Sequence, residues 1–245
     1  MTEPIETLLF DFGGTLDADG VAWKERFHAL YRAEGLGLSA DAFAPTFYAA
    51  DDPLVGLLSP ATGLSGTVNA LATNLEAELK RHSAGTDEAG TVNEDPNGNR
   101  GQRVASHFLS DASAAFARNR PILEALKKRY QLGIVSNFYG NLEAVCHSVG
   151  LAPLFAVMVD SHRIGAEKPD PAIFRAALET LHAMPETTVF VGDSLRRDRE
   201  GARRMGMRFI WIAPQDVQAA AAQASAEPPV HATVTELRDL IKILI

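Results

Sequence analysis

Four short segments of this 245-residue chain carry side chains that can do chemistry, and each follows an apolar run or lies just beyond one. They are Asp11–Gly14, Ser136–Asn137, Glu167–Asp170 and Asp193–Asp198. In open α/β sheets, ligands bind beside the carboxyl ends of the strands. The sequence therefore predicts that four segments far apart in the chain meet at one edge of a sheet.

The first segment places Asp11 directly after the apolar run Thr7–Phe10 and before Gly13 and Gly14. A carboxylate beside bare backbone amides suits a nucleophile that attacks a phosphoryl group held by N–H donors. The structural alternative is an ordinary β-turn with an Asx-type hydrogen bond. Taken alone, the segment fits the turn better.

The last segment places Asp193 and Asp198 across a strand-to-helix turn after Val189–Val191. Two carboxylates at this spacing can face one cation, and oxygen ligands alone favour Mg²⁺. The alternative is a helix N-cap, Asp193 or Ser194, followed by an acid that the helix dipole favours in the first turn. The sequence leaves the two interpretations evenly balanced.

The two middle segments are weaker signals. The Ser136 hydroxyl and the Asn137 amide, at a strand end, can bind a phosphate oxygen, although a helix cap is the simpler explanation of the two residues taken alone. Lys168, held by the rigid Pro169, can be directed inward as a point charge. An exposed loop lysine is the simpler reading of Lys168 on its own.

The elements that must position these residues form an α/β pattern. Five nearly continuous apolar runs predict buried strands, and helical spacing of apolar residues separates them, with Pro121 beginning one helix and Asp170 capping another. This alternation predicts a Rossmann-like parallel sheet with helices on both faces. The five predicted strands are 7–10, 132–135, 155–159, 188–191 and 209–212.

A helical insert, residues 19–117, interrupts this pattern after the first strand. Apolar residues recur at helical spacing around Trp23, Leu71 and Phe108, and no strand signal is present. We therefore predict a core domain of residues 1–18 and 118–245 and an inserted α-helical domain of residues 19–117. Within the insert, the Gly-, Asn- and Asp-rich stretch 83–101 predicts a mobile loop.

Composition limits the partners. The formal net charge is −8, so a nucleic acid backbone is an unfavourable partner. No 18-residue apolar stretch predicts a membrane span, and the amino terminus does not resemble a signal peptide. The single cysteine, Cys146, predicts packing in a helix and excludes an intrachain disulfide. A cytoplasmic protein is expected, and its oligomeric state has no signature in the sequence.

In this order, the Asp, Ser, Lys and Asp-Asp segments resemble the haloacid dehalogenase-like (HAD) hydrolase superfamily, and the insert resembles its C1-type cap. The resemblance implies that Asp11 is a nucleophile and that Lys168 neutralises charge. It implies Mg²⁺ binding by Asp11, the Gly13 carbonyl, Asp193 and Asp198. Phosphate binding is implied for Ser136 and Asn137 and for the turn at Phe12 and Gly13.

Gly13 departs from the family pattern, in which most phosphatases carry a second Asp that protonates the leaving group. The resemblance then implies a slow enzyme, a good leaving group, or an acid from elsewhere, with Asp17, Asp19 and His28 as candidates. General acid–base catalysis contributes about 10²–10⁴-fold.

Other chemistries of the family remain open. A dehalogenase carries tyrosine at position 13 and uses no Mg²⁺, and a phosphonatase uses a lysine of the cap, for which Lys24 and Lys80 are candidates. A non-catalytic protein that binds a phosphate ligand is the alternative from another class. The sequence favours Mg²⁺-dependent hydrolysis of a small phosphomonoester through an aspartyl-phosphate, with a small phosphorylated metabolite as the partner.

Overall fold

The computed structural model describes residues 3–85, 95, 98–224 and 231–245. Six parallel strands form one sheet in the order β3-β2-β1-β4-β5-β6. This confirms the predicted Rossmann-like α/β fold. The strands are β1 (Thr7–Phe10), β2 (Gln131–Ser136), β3 (Val157–Asp160), β4 (Thr188–Gly192), β5 (Arg208–Ile212) and β6 (Ala232–Val234).

Strand β1 lies at the centre of the sheet, and all four of its residues are buried. Leu8 and Phe10 pack into a large apolar cluster shared with the helical insert, whereas Leu9 packs into a second cluster on the other face. Alternate side chains of a strand point to opposite faces. Coverage on both faces explains why the strand is apolar throughout.

Ten α-helices surround the sheet or form the insert within the described residues. Asp170 caps α7 by accepting a hydrogen bond from the Ala172 amide, as predicted. The helices are α1 (Trp23–Ala33), α2 (Ala40–Asp51), α3 (Leu64–Gly85), α4 (Arg100–Lys127), α5 (Leu142–Ser148), α6 (Ser161–Ile164), α7 (Pro171–Leu181), α8 (Glu200–Met205), α9 (Gln215–Ala224) and α10 (Asp239–Leu244).

Helix α4 corrects one prediction. Pro121 does not begin a helix but lies inside α4, which runs without interruption for 28 residues. A proline inside a helix removes one backbone hydrogen bond and costs about 3 kcal/mol. The buried residues Phe116 and Leu123, on either side of the proline, pack into the core and offset this cost. The domain boundary predicted at residues 117 and 118 therefore lies within a continuous helix.

Strand β6 was not predicted from the sequence. Most of the predicted loop 83–101 lies outside the described residues, and its two ends belong to helices α3 and α4. No helix in the described part of the chain is both long and apolar enough to cross a membrane.

Candidate active site

Asp11 stands at the carboxyl end of the central strand. Its amide donates to the Val191 carbonyl of the neighbouring strand β4, which extends the pairing of β1 by one residue. The carboxylate oxygen Oδ1 accepts hydrogen bonds from the Phe12 amide and the Ser136 hydroxyl, both at 2.7 Å. Lys168 Nζ lies 2.8 Å from the same oxygen. Three donors therefore fix the orientation of this carboxylate.

Lys168 links Asp11, the nucleophile candidate, to Asp198. Its Nζ is also 2.7 Å from Asp198 Oδ1, and the lysine side chain is almost fully buried. Burial lowers the pKa of Lys168, but the charges of Asp11 and Asp198 outweigh burial and raise it overall. The lysine is therefore a fixed cation between two carboxylates rather than an exposed loop residue.

Asn137 positions this lysine. Its Oδ1 accepts a hydrogen bond from the Lys168 amide at 2.8 Å, and its Nδ2 donates to the Lys168 carbonyl at 3.3 Å. Both side-chain groups of Asn137 thus hold the lysine backbone against the end of β2. The sequence pointed to Asn137 for its backbone amide and gave no indication of this side-chain role.

Asp193 and Asp198 come together with Asp11 at the edge of the sheet. One carboxylate oxygen from each of the three lies within 4.8 Å of the others. Asp198 also accepts a hydrogen bond from the Ser194 amide at 2.9 Å, and Ser194, not Asp193, caps the following helical turn. The structure thus brings together the three carboxylates that the sequence suggested for one cation.

The charge of this cluster fits a divalent cation. If all three carboxylates are ionised, Lys168 compensates only one of three negative charges. Burial and the charges of Asp198 and Asp11 raise the pKa of Asp193 well above its usual range. Burial also raises the pKa of Asp198 to about 6, against the opposing effect of Lys168. A bound cation would relieve this repulsion, and three oxygen donors suit a hard metal ion.

Asp11 and Asp193 line a cavity of about 720 Å³ between the sheet edge and the insert, whereas Asp198 is fully buried beneath it. The sheet side contributes Asp11, Gly13, Ser136, Asn137, Lys168 and Asp193 to its lining. The insert side contributes Trp23, Lys24, Glu25, Phe47, Tyr48, Asp51, Asp52 and Val55. A small molecule bound at Asp11 would therefore contact residues of both parts.

Asp17, one of the candidate acids, is a buried anchor. Its carboxylate accepts hydrogen bonds from the Gly14 amide, the Trp23 indole and Arg26, at 2.7, 2.7 and 2.6 Å. It is 1% exposed and does not line the cavity. These contacts join the turn after β1 to the start of helix α1.

The other two candidate acids, Asp19 and His28, also lie outside the cavity lining. Asp19 pairs with Arg118 at 2.6 Å, and the His28 ring contacts the Leu38 carbonyl, and neither residue lines the cavity. Of the two lysines considered for Schiff-base chemistry, Lys24 lines the cavity and Lys80 does not.

Sequence reasoning missed a carboxyl group on the insert side of this cavity. Asp51, the last residue of α2, accepts a 2.5 Å hydrogen bond from the Tyr139 hydroxyl. This bond joins the insert to the loop that follows β2. Burial raises the pKa of Asp51 to about 6. An acid at the end of a helix gives no such signal in a sequence.

Comparison with known proteins agrees with this arrangement. A family profile described as haloacid dehalogenase-like hydrolase matches residues 5–206. The haloacid dehalogenase-like hydrolase domain-containing protein 3 of Bos taurus is 39% identical over 87 residues, which are 36% of this chain and 35% of that protein. A phosphoserine phosphatase of Thermus thermophilus is 33% identical over 103 residues, or 40% of this chain and 41% of the relative. The matched segments thus span less than half the length of these relatives.

Solved structures show the same fold. A HAD phosphatase from Thermococcus onnurineus superimposes with a TM-score of 0.56 at 22% identity and covers 98% of each chain. A dehalogenase, solved with an intermediate complex, gives a TM-score of 0.61 at 19% identity, over 100% of this chain and 99% of that one. Since the family profile extends over most of the chain and the fold agrees, this protein belongs to the haloacid dehalogenase-like hydrolase family.

Proposed function

We propose that this protein hydrolyses a small phosphomonoester with the help of Mg²⁺, through an aspartyl-phosphate on Asp11. The observation that carries the proposal is the joint placement of Asp11, Lys168 and Asp193 in the lining of one cavity, with Asp198 buried in contact with Lys168. Phosphatase relatives, including a glyceraldehyde 3-phosphate phosphatase of Methanopyrus kandleri that is 46% identical over 64 residues, support the reaction class. That match covers 26% of this chain and 28% of the relative.

Asp11 attacks the phosphorus atom in the first step. The Phe12 amide, Ser136 and Lys168 all contact Oδ1, so we assign the attack to Oδ2. The bond from Oδ2 to phosphorus forms as the bond from phosphorus to the ester oxygen breaks, and the ester oxygen leaves with the electron pair. Fixing the nucleophile in one orientation removes much of the entropic cost of this step.

Charge is the main obstacle to this attack, because a carboxylate and a phosphate dianion repel each other. Lys168 lies against Asp11 and supplies one positive charge. Asp11, Asp193, Asp198 and the Gly13 carbonyl would hold Mg²⁺, which supplies further positive charge to the transferring phosphoryl group. We assign the Asn137 amide to the phosphate oxygens, and also the Ser136 hydroxyl, whose one proton turns from Asp11 to the phosphate when the substrate binds.

A water molecule completes the reaction. It attacks the phosphorus atom of the aspartyl-phosphate, the bond from phosphorus to Oδ2 breaks, and Asp11 returns to its carboxylate form as inorganic phosphate leaves. We propose that residues 19–117 form a cap over the core of residues 1–18 and 118–245. This cap excludes bulk water and selects the substrate. The insert residues that line the cavity support this role.

The decisive experiment measures hydrolysis of p-nitrophenyl phosphate with Mg²⁺ and with a chelator. We expect turnover that requires Mg²⁺ and is lost in Asp11→Asn, which keeps the size of the side chain. Asp41→Asn, the same change at an exposed position of α2, is the matched control and should keep full activity.

Two results would contradict the proposal. Turnover that survives in Asp11→Asn would exclude Asp11 as the nucleophile. A protein that binds phosphate but hydrolyses no ester would favour the non-catalytic alternative. Labelling by mass spectrometry after a rapid acid quench adds a direct test, because the aspartyl-phosphate adds the mass of one phosphoryl group to the peptide that contains Asp11.

A further inference from the structure

Asp51 leaves one carboxylate oxygen available to the cavity. Its Oδ1 accepts the 2.5 Å hydrogen bond from the Tyr139 hydroxyl, a core residue that holds the carboxyl group in one orientation. Its Oδ2 has no hydrogen-bond donor within the described residues and is not sealed from solvent. Asp51 lines the same cavity as Asp11. Asp51 therefore offers an oriented acceptor to a molecule that is bound in this cavity.

This acceptor carries a charge that no side chain neutralises directly. The pKa of Asp51 is about 6, so the carboxyl group is ionised at neutral pH. No lysine or arginine forms a salt bridge with Asp51 in the part of the chain that the structure describes. Arg197, which also lines the cavity, lowers the pKa of Asp51, but burial outweighs this effect. A half-buried carboxylate without a contacting cation is unfavourable, and a cationic ligand would remove that cost.

Aromatic rings border this carboxylate on the insert. Phe47 and Tyr48 lie four and three residues before Asp51 in α2, so the three side chains share one side of the helix. All three residues line the cavity. The face of an aromatic ring attracts cations, and Lys24 Nζ already lies 5.4 Å from the centroid of the exposed Tyr48 ring. A carboxylate beside accessible aromatic rings is typical of a site that binds an ammonium group.

The insert side of the cavity is acidic as a whole. It contributes Glu25, Asp51 and Asp52 but only one cation, Lys24, whose Nζ lies 3.4 Å from Glu25. On the core side, Lys168 and the groups proposed to hold Mg²⁺ are suited to a phosphate. A second carboxylate or phosphate on the substrate would be repelled by the insert side, whereas a positive group would be attracted.

We propose that Asp51 binds a positively charged amino group at the end of the substrate opposite to its phosphate. The substrate class is then a phosphomonoester of an amino alcohol, whose ammonium group donates to Asp51 Oδ2 and packs against the ring of Tyr48. This inference rests on the proposed phosphatase function and narrows its substrate. Asp51 is a specificity-determining residue, because it contacts the substrate and takes no part in the bonds that form or break.

Binding is measured in Asp11→Asn, which should not turn over its ligands. The probes are aminoalkyl phosphates with two, three or four carbon atoms, each compared by calorimetry, with Mg²⁺ present, with the alkyl phosphate that carries a methyl group instead of the ammonium. At pH 7.5 one aminoalkyl phosphate should bind about 10–100-fold more tightly than its partner, the usual contribution of a hydrogen bond to a charged group. Adding Asp51→Asn should reduce this preference by at least fivefold. Adding Asp41→Asn, at an exposed position of the same helix, should leave the preference unchanged.

Three results would overturn the inference. Equal affinity within every ammonium–methyl pair would show that the cavity does not prefer a cation. A hydroxyalkyl phosphate that binds as tightly as the aminoalkyl phosphate of the same length would show that Oδ2 serves a neutral donor. A preference that persists after Asp51→Asn would assign the cation site to another residue.

Turnover gives a second readout, which a merely structural role of Asp51 would not move. In the otherwise wild-type protein, Asp51→Asn should lower kcat/KM for the preferred aminoalkyl phosphate relative to its alkyl partner at least fivefold, mainly through KM. The ratio between the two esters cancels any general change in stability or in the position of the insert, and an unchanged ratio would overturn the inference. A protein that hydrolyses neither p-nitrophenyl phosphate nor these esters would instead contradict the proposed function, and the affinities in Asp11→Asn would still test Asp51.

Discussion

Replacing Asp51 by Asn should stabilise the protein, and the gain should depend on pH. Burial raises the pKa of this carboxyl to about 6 from an ordinary 3.8. The hydrogen bond from Tyr139 opposes burial, Asp52 adds to it, and Arg197 opposes it. Asn keeps the oxygen that accepts the Tyr139 hydrogen bond and carries no charge at any pH.

The direction of the pH dependence follows from proton binding by Asp51 in the folded and unfolded states. Between about pH 4 and 6 the unfolded chain has lost the Asp51 proton while the folded protein retains it. The free energy of unfolding of the wild type therefore falls as the pH rises through this window, and the loss is complete above pH 6. A difference of about two pKa units corresponds to about 3 kcal/mol. This is an upper value, since the amide makes the Tyr139 contact less strongly than a carboxylate.

Urea denaturation at pH 4, 5, 6 and 7.5 measures this effect. The difference in unfolding free energy between Asp51→Asn and the wild type should be near zero at pH 4 and reach about 2–3 kcal/mol at pH 7.5. Asp41→Asn is the control, because Asp41 is an exposed residue of the same helix and its replacement should change little. Taking the difference between the two proteins cancels the titration of the carboxylate cluster. A difference that does not vary with pH would refute the reasoning.

Three other predictions concern the site and the core. Lys168→Met should abolish turnover and cost about 3–5 kcal/mol, because two buried carboxylates lose their partner; a variant as stable as the wild type in urea would contradict this. Mg²⁺ at 100 times its Kd should stabilise the protein by about 2.7 kcal/mol, and Asp193→Asn should reduce the accompanying shift in melting temperature. Gly201→Ala should cost about 1–3 kcal/mol, since a Cβ there would lie 2.2 Å from the ring of Phe174; an unchanged melting temperature would argue against that packing.

The sheet could be predicted because its strands are buried on both faces. Each of the five predicted strands is a run of apolar residues, so composition alone marks it. Strand β6 escaped prediction because it has only three residues at the edge of the sheet, and two of them, Ala232 and Thr233, are incompletely buried. A strand that is only partly buried does not need a run of apolar residues, so the sequence gives little signal for it.

The catalytic candidates on the sheet could be predicted for a related reason. Asp11 and Asp193 each follow a strand and Ser136 ends one, and parallel strands bring their carboxyl ends to one edge. Trp23 and Asp51 belong to the insert, whose position over the sheet depends on packing between helices. No local pattern shows which face of α1 or α2 will turn toward Asp11.

The candidate acid Asp17 shows the same limit of sequence-based prediction. Asp17 lies near the start of the insert, six residues after Asp11, which suggested a role in the site, but it is directed into the core toward Trp23 and Arg26. Closeness in sequence to the nucleophile candidate did not determine the direction of the side chain. The side chain instead points to the Gly14 amide and the Trp23 indole, which are buried donors that need an acceptor.

The central position of β1 has a consequence for the synthesis of this protein. Thr7 is aligned with Gln131 on one side and with Thr188 on the other. Strand β1 is therefore synthesised well before both of the strands with which it pairs. At about 5–20 residues per second, roughly 10–40 s pass before β4 leaves the ribosome. During that time β1 is an apolar segment with two open edges, which favours association with other chains. We therefore expect that nascent chains arrested before residue 188 depend on chaperones, whereas the finished sheet does not.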